Sequence, residues 1–282
     1  MNHNKNILIT GCSSGIGYCV AHGLKQRGYR VFATARTQAD VDRLTDEGFE
    51  AFQLDLTDSA SINKAVDQVL ALTNNHLDAL FNNGAYGLPG AVEDLTRDAL
   101  RVQFETNVFG WIELTNRIIP VMRKQDYGRI IMNSSVLGFA AMAYRGAYNA
   151  SKFAIEGFTD TLRLELKDTP IQLSLIEPGP ITSKFRQNAK KAFDQFIDVE
   201  HSLHKEQYKA MEKRLNKPGP AAPFTLPPEA VLKRVVHALE SKKAKQRYYV
   251  TVPTYLFGYL KRILTTAMLD KILFKAGGGG KR

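Results

Sequence analysis

Short apolar segments alternate along this chain with longer segments whose apolar residues recur every three or four positions. The short segments predict β-strands, and the longer ones predict amphipathic helices. Strands are predicted at residues 6–10, 29–35, 50–56, 77–82, 129–134, 171–177 and 248–252. Helices are predicted between them at residues 15–28, 38–47, 59–73, 97–124, 148–168 and 228–241.

The order of these elements indicates the fold class. Because strands and helices alternate and the strands are apolar at nearly every position, we expect a parallel sheet with helices on both faces. The sequence therefore predicts an α/β protein with one doubly wound domain of the Rossmann type. Its sheet should contain seven parallel strands, and the chain shows no internal repeats.

Two segments lie outside this alternation. The pattern of residues 183–217 predicts a long, highly charged helical insertion, and a Pro-rich connector follows at 218–228. After residue 253 a further amphipathic helical segment begins, and its Gly-rich end at 277–282 is expected to be flexible. We therefore expect one main domain at 1–253, with an insertion at 183–227, and a C-terminal extension at 254–282.

Charge is distributed unevenly in an otherwise ordinary globular composition. The 282 residues are 44% hydrophobic and 23% charged, which excludes disordered and collagen-like chains. The formal net charge is +10, and residues 241–282 supply +9 of it with ten Lys and Arg against Asp270. The remaining body is nearly neutral, so we expect no nucleic-acid partner.

Cysteine and histidine give no sign of a disulfide framework or a metal site. Cys12 and Cys19 have no further cysteine to join, and His201 and His204 lie one helical turn apart without a third ligand nearby. No apolar run is long enough for a membrane span, and the polar residues 1–5 do not resemble a signal peptide. We therefore expect a cytoplasmic protein without a metal.

A Gly-rich turn connects the first predicted strand to the first predicted helix. It contains Gly11, Gly15 and Gly17. Glycines at such positions permit the tight turn, let backbone N–H groups approach a pyrophosphate and allow the helix to pack close to the strand. Because the turn lies between a strand and a helix, it predicts a dinucleotide-binding site rather than an ordinary turn.

A second constellation indicates acid–base chemistry. Tyr148 and Lys152 are four residues apart and therefore lie on one face of a helix, where an ammonium group could stabilise a phenolate. Ser135 follows a predicted strand, and strand ends of a parallel sheet meet in a common crevice. Ser135 is favoured over its neighbour Ser134, and the three side chains predict reduction of a carbonyl group beside a nucleotide.

The spacing of these residues is similar to that of the short-chain dehydrogenase/reductase family. Further marks follow in chain order: Asp55-Leu56-Thr57, Asn82-Asn83-Gly84-Ala85, Asn107, Ser134-Ser135, Tyr148-Asn149-Ala150-Ser151-Lys152, Pro178-Gly179 and Thr182. The chain most resembles a bacterial branch related to retinol and 17β-hydroxysteroid dehydrogenases, whose members are described as NADP(H)-dependent aldehyde or ketone reductases. It departs from the family pattern at Gly84-Ala85, where Ala-Gly is usual.

This resemblance implies roles for individual residues. Tyr148, Lys152, Ser135 and Asn107 would form the catalytic set, with Asn107 holding a water for proton relay or, alternatively, bracing a helix kink. The residues that would hold the nucleotide are Gly11, Ser13, Ser14, Gly15, Ile16, Gly17, Arg36, Asp55, Leu56, Asn83, Gly84, Tyr148, Lys152, Pro178, Gly179, Ile181 and Thr182. The family also commonly forms homodimers and homotetramers.

The residue after the second predicted strand indicates which cofactor is used. Arg36 stands there, and no acid follows until Asp40. A carboxylate at this place would bind a free ribose hydroxyl, whereas a guanidinium group suits the 2′-phosphate. The sequence therefore favours NADP(H) over NAD(H).

The two segments outside the alternation bear on the substrate. Apolar residues at helical spacing from Phe185 to Ile197 could cover a pocket for a hydrophobic carbonyl compound, or could pack on the body. The extension at 254–282 interleaves aromatic residues with cations and could act as a lid, a subunit contact or a peripheral membrane anchor. Oxidation of an alcohol and a non-catalytic NADP(H) sensor are the alternative functions.

Overall fold

The computed structural model describes residues 5–220 and 222–278, and it contains one sheet of seven parallel strands. The strands are β1 (Asn6–Ile9), β2 (Arg30–Ala35), β3 (Glu50–Gln53), β4 (Ala79–Asn82), β5 (Gly128–Asn133), β6 (Ile171–Glu177) and β7 (Arg247–Tyr249). Their order in the sheet is β3-β2-β1-β4-β5-β6-β7. The order reverses between β1 and β4, which opens a crevice beyond the strands' carboxyl ends.

Eleven α-helices are found among the described residues. They are α1 (Gly15–Gln26), α2 (Gln38–Asp46), α3 (Ser59–Leu72), α4 (Arg97–Phe104), α5 (Gly110–Lys124), α6 (Gly146–Glu165), α7 (Phe185–Phe196), α8 (Lys205–Leu215), α9 (Glu229–Glu240), α10 (Val252–Ile263) and α11 (Thr266–Ala276). Within the described part of the chain, no helix has the length and apolarity needed to span a bilayer.

Apolar side chains fill both faces of the sheet, which explains why the strands are apolar at nearly every position. One layer packs α3, α5 and α6 against the sheet around Trp111 and Ile118. The other packs α1, α2 and α9 around Val20 and Val235. Each buried aliphatic side chain contributes about 1.5–3 kcal/mol to folding. The predicted fold class, a doubly wound α/β domain with seven parallel strands, is therefore confirmed.

Two segments predicted to be helical contain irregularities that the sequence pattern does not indicate. The helix predicted at 97–124 contains a π-helical turn at Glu105–Phe109 between α4 and α5. The helical insertion predicted at 183–217 contains two helices, α7 and α8. Between them the side chains of Asp198 and Ser202 accept hydrogen bonds from the backbone N–H groups of His201 and His204, which replaces helical hydrogen bonding.

The C-terminal segment forms two helices, α10 and α11, joined at Leu264 and Thr265. Pro253 lies in the first turn of α10, where a missing N–H group costs nothing. Apolar residues on the inner sides of α10 and α11 pack against residues 136–142, next to Tyr148. The polar start predicted at 1–5 and the Gly-rich end predicted at 277–282 lie partly outside the described residues.

Candidate active site

The Gly-rich turn is held by contacts in which backbone meets backbone. Gly11 and Gly15 have φ angles of +70° and +60°, a region that favours glycine. A Cβ atom on Gly11 would lie 2.6 Å from the Cα of Gly84, and one on Gly17 would overlap the carbonyl oxygen of Gly11. These three positions therefore admit only glycine without a backbone shift. The Gly84 that replaces the family's usual alanine packs directly against this turn.

Helix α1 presents its N-terminus to the space beside the turn. Its N-cap is Ser14, whose side chain makes no capping hydrogen bond, so the first N–H groups of the helix are available to an anion. The guanidinium group of Arg43 donates to the carbonyl oxygen of Ser13 at 2.8 Å and steadies the turn. Sequence reasoning missed Arg43, because it lies 30 residues away on α2.

A chain of hydrogen bonds joins the turn to the lysine on α6. The Thr10 hydroxyl accepts from the N–H groups of Asn83 at 2.8 Å and Gly84 at 2.9 Å. The Asn83 side chain donates back to Thr10 and accepts from the Asn133 amide at 2.9 Å. The Asn133 carbonyl oxygen then accepts from Lys152 Nζ at 2.8 Å. Asn133 was missed because nothing in the local sequence distinguishes it from other strand-end residues.

Tyr148 and Ser135 meet at the carboxyl end of β5. Tyr148 lies in the first turn of α6, and its hydroxyl hydrogen-bonds with the Ser135 side chain. Burial raises the pKa of Tyr148 to about 12, although the hydrogen bond from Ser135 acts to lower it. The phenol is therefore protonated at neutral pH and can donate a proton. Ser134 points elsewhere and donates its hydroxyl hydrogen bond to Glu156.

Lys152 is enclosed by aromatic rings below Tyr148. Only 1% of its surface is exposed, and Nζ lies 4.3 Å from the Trp111 ring centroid and 5.7 Å from that of Tyr148. Burial lowers the pKa of Lys152 to about 7, against the opposing effect of the Glu156 carboxylate. A negative charge arriving on Tyr148 would favour the ammonium form. A phenolate on Tyr148 and an ammonium group on Lys152 would thus stabilise each other.

Asn107 lies in the π-helical turn and connects two backbone segments. Its side chain accepts from the N–H group of Tyr86 at 3.1 Å and donates to the Tyr86 carbonyl oxygen at 2.8 Å. It also donates to the Ser151 hydroxyl, which itself donates to the carbonyl oxygen of Tyr148. These contacts are those expected of a residue that braces a helix kink, and the water-relay role remains a prediction.

A cluster of carboxyl groups lies behind the site, on the side away from the Gly-rich turn. Arg247 donates hydrogen bonds to Glu156, Asp160 and Glu177. Glu177 is fully buried, and burial together with the adjacent Glu156 raises its pKa to about 8. Asp160 also pairs with Arg163, and two arginines cannot neutralise three carboxylates, so the cluster retains a proton near neutral pH. No local pattern in the sequence indicates this cluster, which joins α6, β6 and β7.

The predicted nucleotide residues on β2 and β3 lie at the same edge. One carboxylate oxygen of Asp55 accepts from the N–H and hydroxyl groups of Thr57, both at 2.9 Å, which leaves the second carboxylate oxygen for a ligand. Leu56 packs against Gly84. Arg36 is exposed, and among the described residues no carboxylate pairs with it.

The segment after β6 borders the site. The carbonyl oxygen of Pro178 accepts from the N–H group of Val136 at 2.8 Å and lies 3.5 Å from the Ser135 hydroxyl. A Cβ atom on Gly179 would overlap the Thr251 hydroxyl, so Gly179 lets this segment pass close to α10. The structure therefore places the Pro178-Gly179 pair between the serine and the C-terminal helices.

Beyond Gly179 the chain approaches the Gly-rich turn. Ile181 forms a β-bridge with Leu226, and the N–H group of Thr182 donates to the Leu226 carbonyl oxygen at 3.0 Å. A Cβ atom on Gly15 would lie 2.9 Å from the Cβ of Ser183. Residues 181–183 therefore close over the turn, and Ile16, on the other side, packs into the core.

An aromatic ring from the insertion covers Tyr148. The ring of Phe185, the first residue of α7, lies 5.3 Å from the Tyr148 ring in an edge-to-face arrangement. A Cβ atom on Gly87 would lie 2.7 Å from the Phe185 ring, so Gly87 makes room for it. The apolar residues from Ala189 to Ile197 pack on the body with Tyr208 of α8. The structure thus places Phe185 at the site and most of the stripe in a small core.

The site fits a dinucleotide. The glycines form a cradle that any Cβ atom would fill, and the α1 N-terminus faces it without a side-chain cap. Two buried oxygen atoms, Asn133 Oδ1 and Tyr86 Oη, have no hydrogen-bond partner in the described part of the chain. Such atoms are costly unless a ligand or water satisfies them. Asn133 is also the residue whose backbone carbonyl oxygen accepts from Lys152, so its unsatisfied amide oxygen belongs to the chain of hydrogen bonds between the turn and the lysine.

No group of three His, Cys, Asp or Glu residues in the ranges 5–220 and 222–278 is arranged to hold a metal ion. His201 pairs with Asp198, whereas His204 hydrogen-bonds with Tyr144 and Glu93. His201 therefore makes a contact within the insertion, whereas His204 connects the insertion to the main body. Cys12 is buried, and burial raises the pKa of its thiol to about 12, which makes it unreactive.

Comparisons with known proteins agree with this geometry. A family model described as short chain dehydrogenase matches residues 5–193. The chain is 42% identical over 269 residues to the uncharacterized oxidoreductase YbbO of Escherichia coli K12, which covers 95% of this chain and 94% of that protein. It is 29% identical over 276 residues to the NADPH-dependent 3-dehydrocapnine reductase of Ornithobacterium rhinotracheale, with 95% of each chain covered.

A solved structure gives the same fold. The closed form of serine dehydrogenase complexed with NADP+ matches this chain with a TM-score of 0.72 and 25% identity. The match covers 88% of this chain and 95% of the other. The crevice beyond β1 and β4 thus has a counterpart in a protein that binds NADP+.

Proposed function

This chain belongs to the short-chain dehydrogenase/reductase family of oxidoreductases, and from that premise we propose that it is an NADPH-dependent reductase of a hydrophobic aldehyde or ketone. The observation that carries the proposal is the convergence of Ser135 and Lys152 on a protonated Tyr148 at the end of the nucleotide crevice. A protonated phenol is the form that reduction requires, because the carbonyl oxygen must gain a proton as carbon gains a hydride.

The nucleotide, when bound, supplies the hydride from its nicotinamide ring. Ser135 and Tyr148 both donate hydrogen bonds to the carbonyl oxygen and polarise it. Tyr148 then gives up its proton, and the ammonium group of Lys152, 5.7 Å from the phenol ring, stabilises the resulting phenolate. Asn133 holds Lys152 in place through its carbonyl oxygen. Asn107 fixes the first turn of α6 through Ser151 and so positions Tyr148.

The Gly-rich turn and its neighbours would hold the nucleotide. The free N–H groups at the start of α1 would bind the pyrophosphate, and Arg36 would bind the 2′-phosphate. The exposure of Arg36 without a carboxylate partner in the described ranges supports NADP(H). So do the NADPH dependence of the 3-dehydrocapnine reductase and the NADP+ in the serine dehydrogenase structure. Replacing Arg36 with Gln should lower the preference for NADPH over NADH by roughly 10- to 100-fold.

Other features support the substrate class, the oligomer and the cellular compartment that we propose. Phe185 and the apolar faces of α10 and α11 beside Tyr148 support a hydrophobic substrate. Three aromatic residues are exposed on the π-helical turn before α5 and on α6, namely Phe109, Phe153 and Phe158, which supports a contact between two copies of the chain. Cys12 and Cys19 are unpaired, which supports a reducing, cytoplasmic compartment.

The experiment is a panel of aldehydes, ketones, retinal and steroids, with NADPH or NADH, followed by loss of absorbance at 340 nm. We expect turnover with NADPH that the Tyr148→Phe variant lacks. If both cofactors bind and no carbonyl is reduced, alcohols with NADP+ would test the oxidative direction. Binding of the cofactor without turnover in either direction would overturn the proposal that the chain is an enzyme, and would favour a non-catalytic nucleotide sensor.

A further inference from the structure

A cleft separate from the nucleotide crevice lies beside β7, the edge strand of the sheet, between α9, β7 and α10. Its volume is about 260 Å³, and the residues that line it include four Lys or Arg, one His and four Tyr, with no Asp or Glu. Arg234 comes from α9, Lys245 from the turn before β7 and Arg262 from the end of α10. The cleft is therefore cationic and rich in hydroxyl groups.

The positive charge of this cleft is largely uncompensated. Arg247, at its inner wall, is paired with the carboxyl cluster behind Tyr148. In the part of the chain that the structure describes, no carboxylate lies within 4.0 Å of Arg234, Lys245 or Arg262. Arg234 lies 3.5 Å from the Tyr255 hydroxyl, and so both face the same space. Guanidinium and hydroxyl groups in this arrangement suit the oxygen atoms of a phosphate group.

An apolar stripe on α10 borders the cleft. Leu256, Tyr259 and Ile263 are 49%, 61% and 75% exposed and lie on one side of the helix. Tyr259 also lines the cleft, so the stripe and the cationic site are continuous. On α11, the exposed residues Met268 and Phe274 alternate with cations in the same way. Exposed aromatic and aliphatic residues beside cations are typical of helices that lie in a membrane interface.

We propose that this face binds an anionic phospholipid bilayer, with a lipid phosphate in the cleft and the α10 stripe in the headgroup region. Charge complementarity selects the occupant, because the segment from residue 241 onward carries a net charge of +9 while the rest of the chain is nearly neutral. Anionic lipids attract such segments by about 1 kcal/mol for each cation near the surface. A protein partner would need a matching acidic face to bind the same cations.

The proposed membrane-binding face of α10 lies close to the candidate active site. The inner sides of α10 and α11 pack on residues 136–142 beside Tyr148. A bilayer at the outer side of α10 would therefore lie one helix away from the Ser135–Tyr148 pair. This consequence depends on the proposed reductase function, whereas lipid binding itself does not.

Vesicle flotation tests the proposal without reference to turnover. The purified full chain is mixed with vesicles of phosphatidylcholine alone or of phosphatidylcholine and phosphatidylglycerol at a ratio of 7:3, a composition chosen as roughly one-third anionic. We expect the chain to float with the anionic vesicles only, and less as salt is raised. The double variant Arg234→Gln, Arg262→Gln should bind about 30-fold more weakly, and Leu256→Ser, Ile263→Ser should bind about tenfold more weakly.

A matched variant separates the cleft from net charge. Arg97→Gln, Arg123→Gln removes the same charge from exposed positions outside the face, and it should bind vesicles as the unmodified chain does. Equal loss in both double variants would overturn the cleft as the site, and so would failure of the unmodified chain to float. Inorganic phosphate at an ionic strength matched with sodium chloride should compete no better than the salt, since a bilayer rather than free phosphate is the ligand. Melting temperatures of all variants check that they fold.

Discussion

The nucleotide side and the substrate side of this crevice are built from different kinds of contact. Around the Gly-rich turn, backbone meets backbone: a Cβ atom on Gly11 would lie 2.6 Å from the Cα of Gly84. On the substrate side, the small residue Gly87 makes room for the ring of Phe185, whose side chain can move. Backbone contacts admit one residue type at a fixed spacing, whereas side-chain contacts admit many. The first region therefore has a motif, and the second does not.

The largest effect is expected where the two regions meet. Tyr148→Phe removes the only proposed proton donor, so turnover should fall by about 10³-fold while NADPH affinity changes by less than about threefold. Rapid-mixing kinetics and nucleotide fluorescence measure the two quantities. Tyr127→Phe, at the opposite end of β5, is the control and should keep full turnover. Equal activity of the two variants would contradict the assignment.

A glycine substitution should damage the nucleotide side alone. Because a Cβ atom on Gly17 would overlap the Gly11 carbonyl oxygen, Gly17→Ala should weaken NADPH binding by about 100-fold, which corresponds to about 2.7 kcal/mol. Gly157 on α6 has open space around its Cα, so Gly157→Ala should keep the affinity and raise the free energy of unfolding by about 0.5–1 kcal/mol. Titration calorimetry and urea unfolding distinguish the variants. Normal NADPH affinity in Gly17→Ala would mean that the turn is not the cradle.

A smaller change at Phe185 should separate the substrate side from the nucleotide side. Phe185→Ala removes the ring that packs on Tyr148, and KM for an apolar carbonyl compound should rise about tenfold, equivalent to about 1.4 kcal/mol. NADPH affinity should stay within about twofold. Leu203→Ala, a fully accessible position in the same insertion, is the control. An unchanged KM, or an equal rise in both variants, would argue that Phe185 does not contact substrate.

The smallest effect concerns the carboxyl cluster behind the site. The pKa of Glu177 is raised from 4.5 to about 8, so the folded chain holds a proton that the unfolded chain releases between these values. This contribution to stability is complete below pH 4.5 and is lost as the pH rises through 8. Glu177→Gln should therefore gain at least about 1 kcal/mol of unfolding free energy relative to the parent chain between pH 5.5 and 8.5. Urea titrations at both pH values measure the difference, and a constant difference would contradict the raised pKa.

The sequence could predict those features that depend on local pattern. The apolar strands at β1 and β5, the glycines at 11, 15 and 17, and the Tyr148–Lys152 pair all lie at spacings that backbone geometry imposes. Asn133 and Arg43 could not be found, since they reach the site only through hydrogen bonds across the fold. The cationic cleft was equally hidden, because it joins three elements from different parts of the chain.

The π-helical turn at 105–109 and the interruption between α7 and α8 also depend on contacts that a local pattern does not reveal. Nothing in the periodicity of residues 97–124 signals the π-helical turn, because the group that stabilises it is the backbone of Tyr86, some twenty residues earlier. The break at 197–204 depends on side chains of Asp198 and Ser202 that accept backbone hydrogen bonds. Asp and Ser also occur within helices, so their presence alone does not locate an end.

The most direct test of the proposed hydride transfer uses NADPH that carries deuterium at both positions of the reactive nicotinamide carbon, so that either face delivers the label. One carbonyl compound that the chain turns over is incubated with the labelled cofactor, and the mass of the alcohol product is measured by mass spectrometry. We expect one deuterium per alcohol formed by the unmodified chain, and almost no alcohol from Tyr148→Phe with labelled cofactor still bound. Consumption of NADPH without a deuterated alcohol, or equal product from both chains, would contradict that proposal.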